Sequence, residues 1–248
     1  MKAVLGALIL LIFSNAAQAR VFNINRESMA PYFSISGGPS AVGSKGFENE
    51  ASSVSVSGES KFNYGGEFGL LLSRSKINLA FGIGILKPSP VNNISGSDGG
   101  GTQVYSGESE ILGFVPKVTL ELNLHGDNVS RSFFSVSGGL ANVTLKNSYT
   151  LTAAGTSAYP GVDTVIESKG SGTELAAGIG YEGELSDSIT YAFQFGYKQL
   201  KIDNLKYSKD YNTFNGAVSS GSAVNNGSSS RVLDLSGGFI SLGFRFYM

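Results

Sequence analysis

Apolar and small or polar residues alternate along most of the chain after residue 30. From Tyr64 the apolar set runs Tyr64, Phe68, Leu70, Leu72, interrupted at Gly66, against Asn63, Gly65, Glu67 and Gly69. From Ile77 it runs Ile77, Leu79, Phe81, Ile83, Ile85 against Asn78, Ala80, Gly82 and Gly84. Period two is the strand period, because successive side chains leave a pleated backbone on opposite faces. One face is apolar and aromatic; the other is small, polar or charged. In water the apolar face would turn inward. The connections and the N-terminal segment argue that here it turns outward, into lipid.

The pattern predicts eight strands, near 32–40, 62–72, 77–86, 110–124, 132–145, 173–185, 189–201 and 233–247. The connections alternate long and short. Short ones stand at Ser73-Arg74-Ser75-Lys76, at His125-Gly126-Asp127-Asn128 and at Ser186-Asp187-Ser188, rich in turn-forming residues. The four long ones carry Ser, Gly and Pro, including Tyr159-Pro160-Gly161 and Asn225-Asn226-Gly227. Long external loops, short periplasmic turns and an even strand number define an outer-membrane barrel. Each strand core has the roughly 9–11 residues that a tilted crossing needs. The fold class expected is therefore all-β, an eight-stranded antiparallel up-and-down transmembrane barrel. Segments 54–61 and 162–168 either extend strands above the membrane or add crossings, which would make ten. A soluble secreted sandwich is the fold-level alternative.

The two faces can be assigned by phase. The lipid face takes Leu112, Phe114, Val118, Leu120 and Leu122; Leu175, Ala177, Ile179 and Tyr181; Ile189, Tyr191, Phe193, Phe195 and Tyr197; and Ile240, Leu242, Phe244 and Phe246. None is charged, as expected where a midplane Lys or Arg costs about 2–4 kcal/mol. The opposite phase collects Glu67, Lys117, Glu121, Glu174, Glu182, Glu184, Lys198 and Arg245. Eight strands make a narrow tube that side chains fill, and charges inside it need opposite partners. A lumen ion-pair network with Lys117, Lys198 and Arg245 as its cations is predicted. It serves either as structural filling or as a gated polar path.

The first residues set the compartment. Met1-Lys2, the uncharged apolar run Ala3–Phe13 and the small-x-small site Ala17-Gln18-Ala19 read as a signal peptide over 1–19. The apolar run is too short to span a membrane. Residues 20–30 are then a periplasmic segment and 31–248 the barrel. The chain has no Cys, which excludes disulfides and thiol chemistry. Its formal net charge of -1 gives no basic footprint for nucleic acid. Gly, at 34 of 248 residues, is about twice the usual share of roughly 7% and falls inside strands, where a crowded lumen needs small residues.

Candidate chemistry is sparse. His125 is the only histidine and falls in a short turn far from the long loops, whereas a general base needs a nucleophile within hydrogen-bond reach. One His and no Cys give no basis for a transition-metal site, and Asp203, Asp210 and Asp234 do not match a calcium loop. No cofactor is expected and no enzymatic role. The loop aromatics Tyr105, Tyr149, Tyr159, Tyr207, Tyr211 and Phe214 form either a binding surface or local packing.

On the Ala17-Gln18-Ala19 site, the eight alternating strands and the ending Phe239–Met248, the chain resembles the small outer-membrane barrels, the group of the OmpA transmembrane domain, OmpX and the opacity-type surface proteins. The ending is similar to the family's assembly signal: Phe244 and Phe246 fit it, and Met248 departs from the usual terminal Phe. The resemblance implies outer-membrane lipid and lipopolysaccharide as surroundings, and the barrel-assembly machinery and periplasmic chaperones as partners during export. Fold alone does not fix function. The leading expectation is a structural or surface-interaction barrel whose four loops meet an extracellular or host ligand. The alternative is a narrow porin-like channel or a lateral path for small or apolar solutes.

Overall fold

The computed structural model describes residues 23–24, 26–42, 54–56, 60–74, 76–226 and 229–248. The predicted signal peptide, with Ala17 and Ala19, lies outside the described residues, as does Ser75 of the first short turn. Eight strands form the wall, numbered here β1 (Met29–Val42), β2 (Ser60–Leu72), β3 (Ile77–Pro88), β4 (Gln103–Gly126), β5 (Ser130–Leu151), β6 (Val165–Ser186), β7 (Ile189–Ile202) and β8 (Gly237–Phe246). Each pairs antiparallel with its chain neighbours. The ring closes where β1 meets β8, with Tyr32 opposite Arg245 and Ile35 opposite Leu242. Closure removes every sheet edge from the wall, the condition for strands to cross a membrane.

The long strands change chemistry along their length without changing phase. In β4 the odd positions face inward. Glu121, Thr119 and Lys117 form the polar lower part, and Val115, Ile111 and Tyr105 the apolar upper part. The even positions do the reverse: Leu124, Leu122, Leu120, Val118, Phe114 and Leu112 are exposed and apolar, and Glu110, Glu108 and Ser106 above them are exposed and polar. In β7 the outward row runs Phe193, Phe195, Tyr197 and then Gln199 and Lys201. This inversion marks the upper edge of an apolar belt. Below it the wall is built for hydrocarbon outside; above it the wall is an ordinary water-facing sheet around an apolar core.

The extensions decide the strand count. Val165–Ser168 continues β6 and pairs with β5, so this part of 162–168 lengthens a strand above the belt. Val54–Val56 pairs with Val91–Ser97, which in turn pairs with upper β4. Neither segment adds a crossing, and the barrel has eight strands rather than ten. The predicted last strand, 233–247, is divided: Leu233–Asp234 is a separate short strand on β7, and β8 starts at Gly237. Between them the Ser236 hydroxyl accepts from the Leu200 N–H at 3.0 Å, giving this edge of β7 a side-chain partner instead of a continuous ladder.

Both mouths are occupied. At the short-turn end the segment before β1 folds across the opening. The Ile24 N–H donates to the Asn128 carbonyl at 2.9 Å, and its side chain is buried with Ala30, Leu71, Ala80 and Tyr247. β1 itself begins at Met29, two residues before the boundary expected at 31.

Candidate functional site: the filled lumen and its loop cap

The lower lumen holds a closed arrangement of two guanidiniums and two carboxylates. Arg131 donates from Nε to Glu182 at 2.7 Å and from Nη2 to Glu121 at 3.0 Å. Arg245 donates from Nη1 to Glu182 at 2.7 Å and from Nη2 to Glu121 at 2.6 Å. Glu182 also accepts from the hydroxyls of Thr190 and Tyr247, at 2.5 and 2.8 Å. Both guanidiniums lie over the ring of Phe133, 5.5 and 5.3 Å from its centroid. Asn78 ties the layer to the β2–β3 turn: its amide donates to Glu121 and Asn123, and its carbonyl oxygen accepts from Ser73 and Arg74. Two positive and two negative charges cancel, and the fork geometry of Arg satisfies the carboxylate lone pairs that burial would otherwise strand.

A second layer sits above. Lys117 Nζ lies 2.6 Å from Glu67 and 3.7 Å from Glu174, and the Tyr32 hydroxyl donates to Glu67 at 2.5 Å. These side chains lie across glycines. A Cβ on Gly69 would collide with the Phe81 carbonyl oxygen, and one on Gly82 would collide with the Tyr32 hydroxyl. The high glycine content inside the strands therefore has a steric cause. Lys117, Glu174, Lys198, Gln194 and several serines line a cavity of about 120 Å³. It is a pocket between layers: above it Leu86, Val115, Val143, Leu200 and Ile202 close the tube with buried apolar side chains.

That apolar closure continues into the loops. Phe214, from the connection between β7 and β8, is buried among Tyr105, Tyr149 and Tyr159, with centroids at 4.4, 5.2 and 5.2 Å. The Asn212 N–H donates to the Asp163 carboxylate at 2.8 Å, and the Glu167 N–H to the Tyr211 hydroxyl at 3.0 Å, lacing this loop to the one before it. A short helix, α1 (Ala153–Ala158), caps its start with the Thr152 hydroxyl, which accepts from the Gly155 N–H at 3.1 Å. Of the two readings of the loop aromatics, local packing is the one the structure adopts for Tyr105, Tyr149, Tyr211 and Phe214. Tyr159 and Tyr207 are partly buried against the same core.

The charged residues singled out by phase divide among these layers. Glu121, Glu182 and Arg245 meet in the lower one, and Glu67, Lys117 and Glu174 in the upper one. Lys198 lines the cavity but makes no ion pair within 4 Å among the described residues, and it is not a bridging cation. Glu184 does not join the network either. It sits beside the irregularity at the end of β6, where its backbone N–H donates to the Val129 carbonyl. Arg131 escapes the sequence pattern, because the predicted strand opens one residue after it; its phase with Ser135 is the signal that could have found it. Phe244 and Phe246 lie against Phe33 on the outer face, with ring centroids at 5.4 Å (tilted) and 6.1 Å (stacked), and Met248 lies beyond the strand with its N–H on the Met29 carbonyl. His125 is exposed at the short-turn end.

Eight closed antiparallel strands, short turns at one end, long connections at the other and an apolar outer belt make this a small barrel of the outer-membrane type, and its place is the bacterial outer membrane. No family model matches the chain and no curated protein matches it. Among solved structures it is similar to Neisserial surface protein A, at 8% identity over 89% of this chain and 97% of that one, with a TM-score of 0.41. It is likewise similar to Ail of Yersinia pestis, at 9% identity, 90% and 99% coverage and a TM-score of 0.41. A major outer membrane protein from Thermus thermophilus gives 10% identity, 89% and 99% coverage and a TM-score of 0.48.

Proposed function

We propose that the chain is a surface-interaction protein: the barrel anchors it, and the loop cap meets an extracellular or host ligand. The observation that carries this reading is the apolar core of the cap, from Tyr105 and Tyr149 to Phe214 and Leu233, which fills the upper lumen and packs the second, third and fourth long connections together. A transport role would be served by an open tube; a filled tube under a folded cap suits presentation of a fixed surface. The exposed parts of the cap are mostly polar, with Lys206, Lys209, Asp203 and Asp210 among them and Val165 and Val232 the exposed large apolar exceptions among the described residues, so a polar or charged ligand fits it better than an apolar one. Lipid and lipopolysaccharide surround the wall in this reading. The assembly machinery and periplasmic chaperones handle the chain before insertion, with Phe244, Phe246 and Met248 as the recognised ending. No catalytic role is assigned: His125 stands at the short-turn end, at the opposite mouth from the loop cap.

The test is replacement of the tips of all four long loops by short Gly-Ser links, with the barrel checked for folding. Attachment of cells to surfaces and to host material should fall. Unchanged surface phenotypes would reject the reading.

One observation favours a lateral path as a second reading. Pro116 has no N–H to give β5, and Val115 and Pro116 have no partners there, between the Phe114–Asn142 and Lys117–Gly139 pairs. This is a gap in the wall ladder within the apolar belt. Pro116→Val should close it. If small apolar solutes enter liposomes through the wild-type protein and the substitution leaves the rate unchanged, the lateral reading fails.

A further inference from the structure

The lipid-facing wall is not uniform. Across β2 to β5 two outward rows stand two residues apart, about 6.6 Å at strand geometry. One row is Leu70, Phe81, Val118 and Gly138, each the register partner of the next. The other is Phe68, Ile83, Pro116 and, beyond the ladder gap, Leu140. Between them run Gly69, Gly82, Lys117 and Gly139, whose side chains, where present, point inward. The rows bound a groove of about 980 Å³ that extends from Pro31 on β1 to Thr173 on β6. Five inter-strand steps of about 4.8 Å give it a length of roughly 24 Å.

Two features deepen it. The glycines of the floor let the wall sit close on the Tyr32–Glu67–Lys117 layer, since any Cβ there would collide with that layer or with neighbouring backbone. Gly138 then leaves a notch in the outward row, between the exposed Val136 and Leu140. A glycine at an outward, exposed strand position gives up packing and marks a place where something else approaches the backbone. Apart from Thr173 at the upper end, the bounding outward side chains are apolar. At this depth in the belt the available material is hydrocarbon; with strands tilted about 45° a run of roughly 24 Å across them rises about 17 Å along the membrane normal, close to the roughly 15 Å of one leaflet, so a single chain fits the length.

We propose that this groove holds one acyl chain of a membrane glycerophospholipid, lying obliquely across β2 to β5. The inference rests on the reading of the outer face as a lipid-facing wall. It adds that one lipid is retained at a defined place instead of exchanging evenly around the barrel.

The test uses the whole protein refolded into phosphatidylcholine vesicles that carry a fraction of phosphatidylcholine with a mid-chain diazirine. After illumination, labelled peptides are mapped by mass spectrometry. Labelling at Phe68, Phe81 and Leu140 should exceed that at Phe193 and Ile240 on the opposite wall by about tenfold, the factor of a ~1.4 kcal/mol preference. Gly138→Phe fills the notch; a Cβ there meets only Leu175 Cδ2, at 3.7 Å, so the fold has room for it. This variant should reduce the excess to the background. Gly66→Phe, an equal apolar addition on the same face outside the groove, should leave it unchanged. Even labelling around the barrel, or an excess that survives Gly138→Phe, overturns the proposal. Labelling at Phe68 and Leu140 that falls below that at Phe193 and Ile240 would mean that a second copy covers the groove and excludes lipid, and would overturn it too. A wild-type chain that takes no labelling and shows no heat-modifiable form defeats the membrane wall itself, which the gel reads separately.

Discussion

Removing the Glu182 carboxylate tests the lower lumen layer most sharply. Its side chain has no solvent exposure and accepts from two guanidiniums and two hydroxyls. In Glu182→Ala, Arg131 and Arg245 share Glu121 alone, so the layer goes from neutral to one excess positive charge in a closed tube. Breaking a buried pair by deleting one partner costs about 3–5 kcal/mol, because the remaining charge stays desolvated. That is a change of roughly a hundred- to a few-thousand-fold in the unfolding equilibrium. The assay is denaturant unfolding of the refolded barrel, followed by the gel mobility of unboiled samples. Glu110→Gln, on the exposed outer surface above the belt, is the control and should move stability by under about 0.5 kcal/mol. Replacing all four charged residues by apolar ones of similar size should cost far less than the single deletion, because no charge is left stranded. A Glu182→Ala barrel as stable as the control would refute the view that this layer is held by charge compensation.

Three further outcomes follow from named contacts. Gly69→Ala should destabilise the barrel by about 1–3 kcal/mol in the same unfolding assay, since its Cβ would run into the Phe81 backbone oxygen, and backbone cannot step aside as a side-chain tip can. Phe214→Ala, which empties the centre of the aromatic cluster, should expose the connection between β7 and β8 to protease while the unboiled barrel keeps its gel shift; simultaneous loss of both would mean that cap and wall are one unit. In the β4–β5 turn the Asp127 carboxylate accepts first from the Val129 N–H and then from the Ser130 N–H and hydroxyl, which hold its pKa below the usual carboxylate value. A depressed folded-state pKa supports the turn above the unfolded value of about 3.9 and loses that support as pH falls through the folded value. An NMR titration of this carboxyl should therefore show a midpoint below an ordinary Asp, and a midpoint at or above it would contradict the geometry.

The apolar belt is legible in the sequence because a lipid-facing strand repeats one signal every second residue over its whole crossing. Phe193, Phe195 and Tyr197 on β7, or Val118, Leu120 and Leu122 on β4, are identified by phase alone, without knowledge of any partner. The upper halves of β4, β5 and β6 escape this reading for the opposite reason. There the inner face turns apolar and the outer face polar, so Glu108 and Lys146 read as loop when only one belt chemistry is expected. Arg131 is hidden at a strand end, where turn and strand compositions overlap. Lys198 is in the correct phase and lines the same cavity as Glu174 but stands beyond ion-pair distance, and Glu184 is in phase but at the end of its strand; separation across the lumen and height along it both depend on the stagger between strands, which alternation does not encode. The packing of Ile24 under the barrel and of Phe214 within the cap depends on contacts between residues far apart in the chain, and no local pattern announces them.

The central claim is that the apolar rows face lipid. Refolding the chain in detergent micelles, with boiled and unboiled samples compared on an SDS gel beside far-UV circular dichroism, tests it most directly. The account predicts a strand-rich spectrum and a mobility shift on boiling. A chain that folds in plain buffer and shows no shift would contradict it.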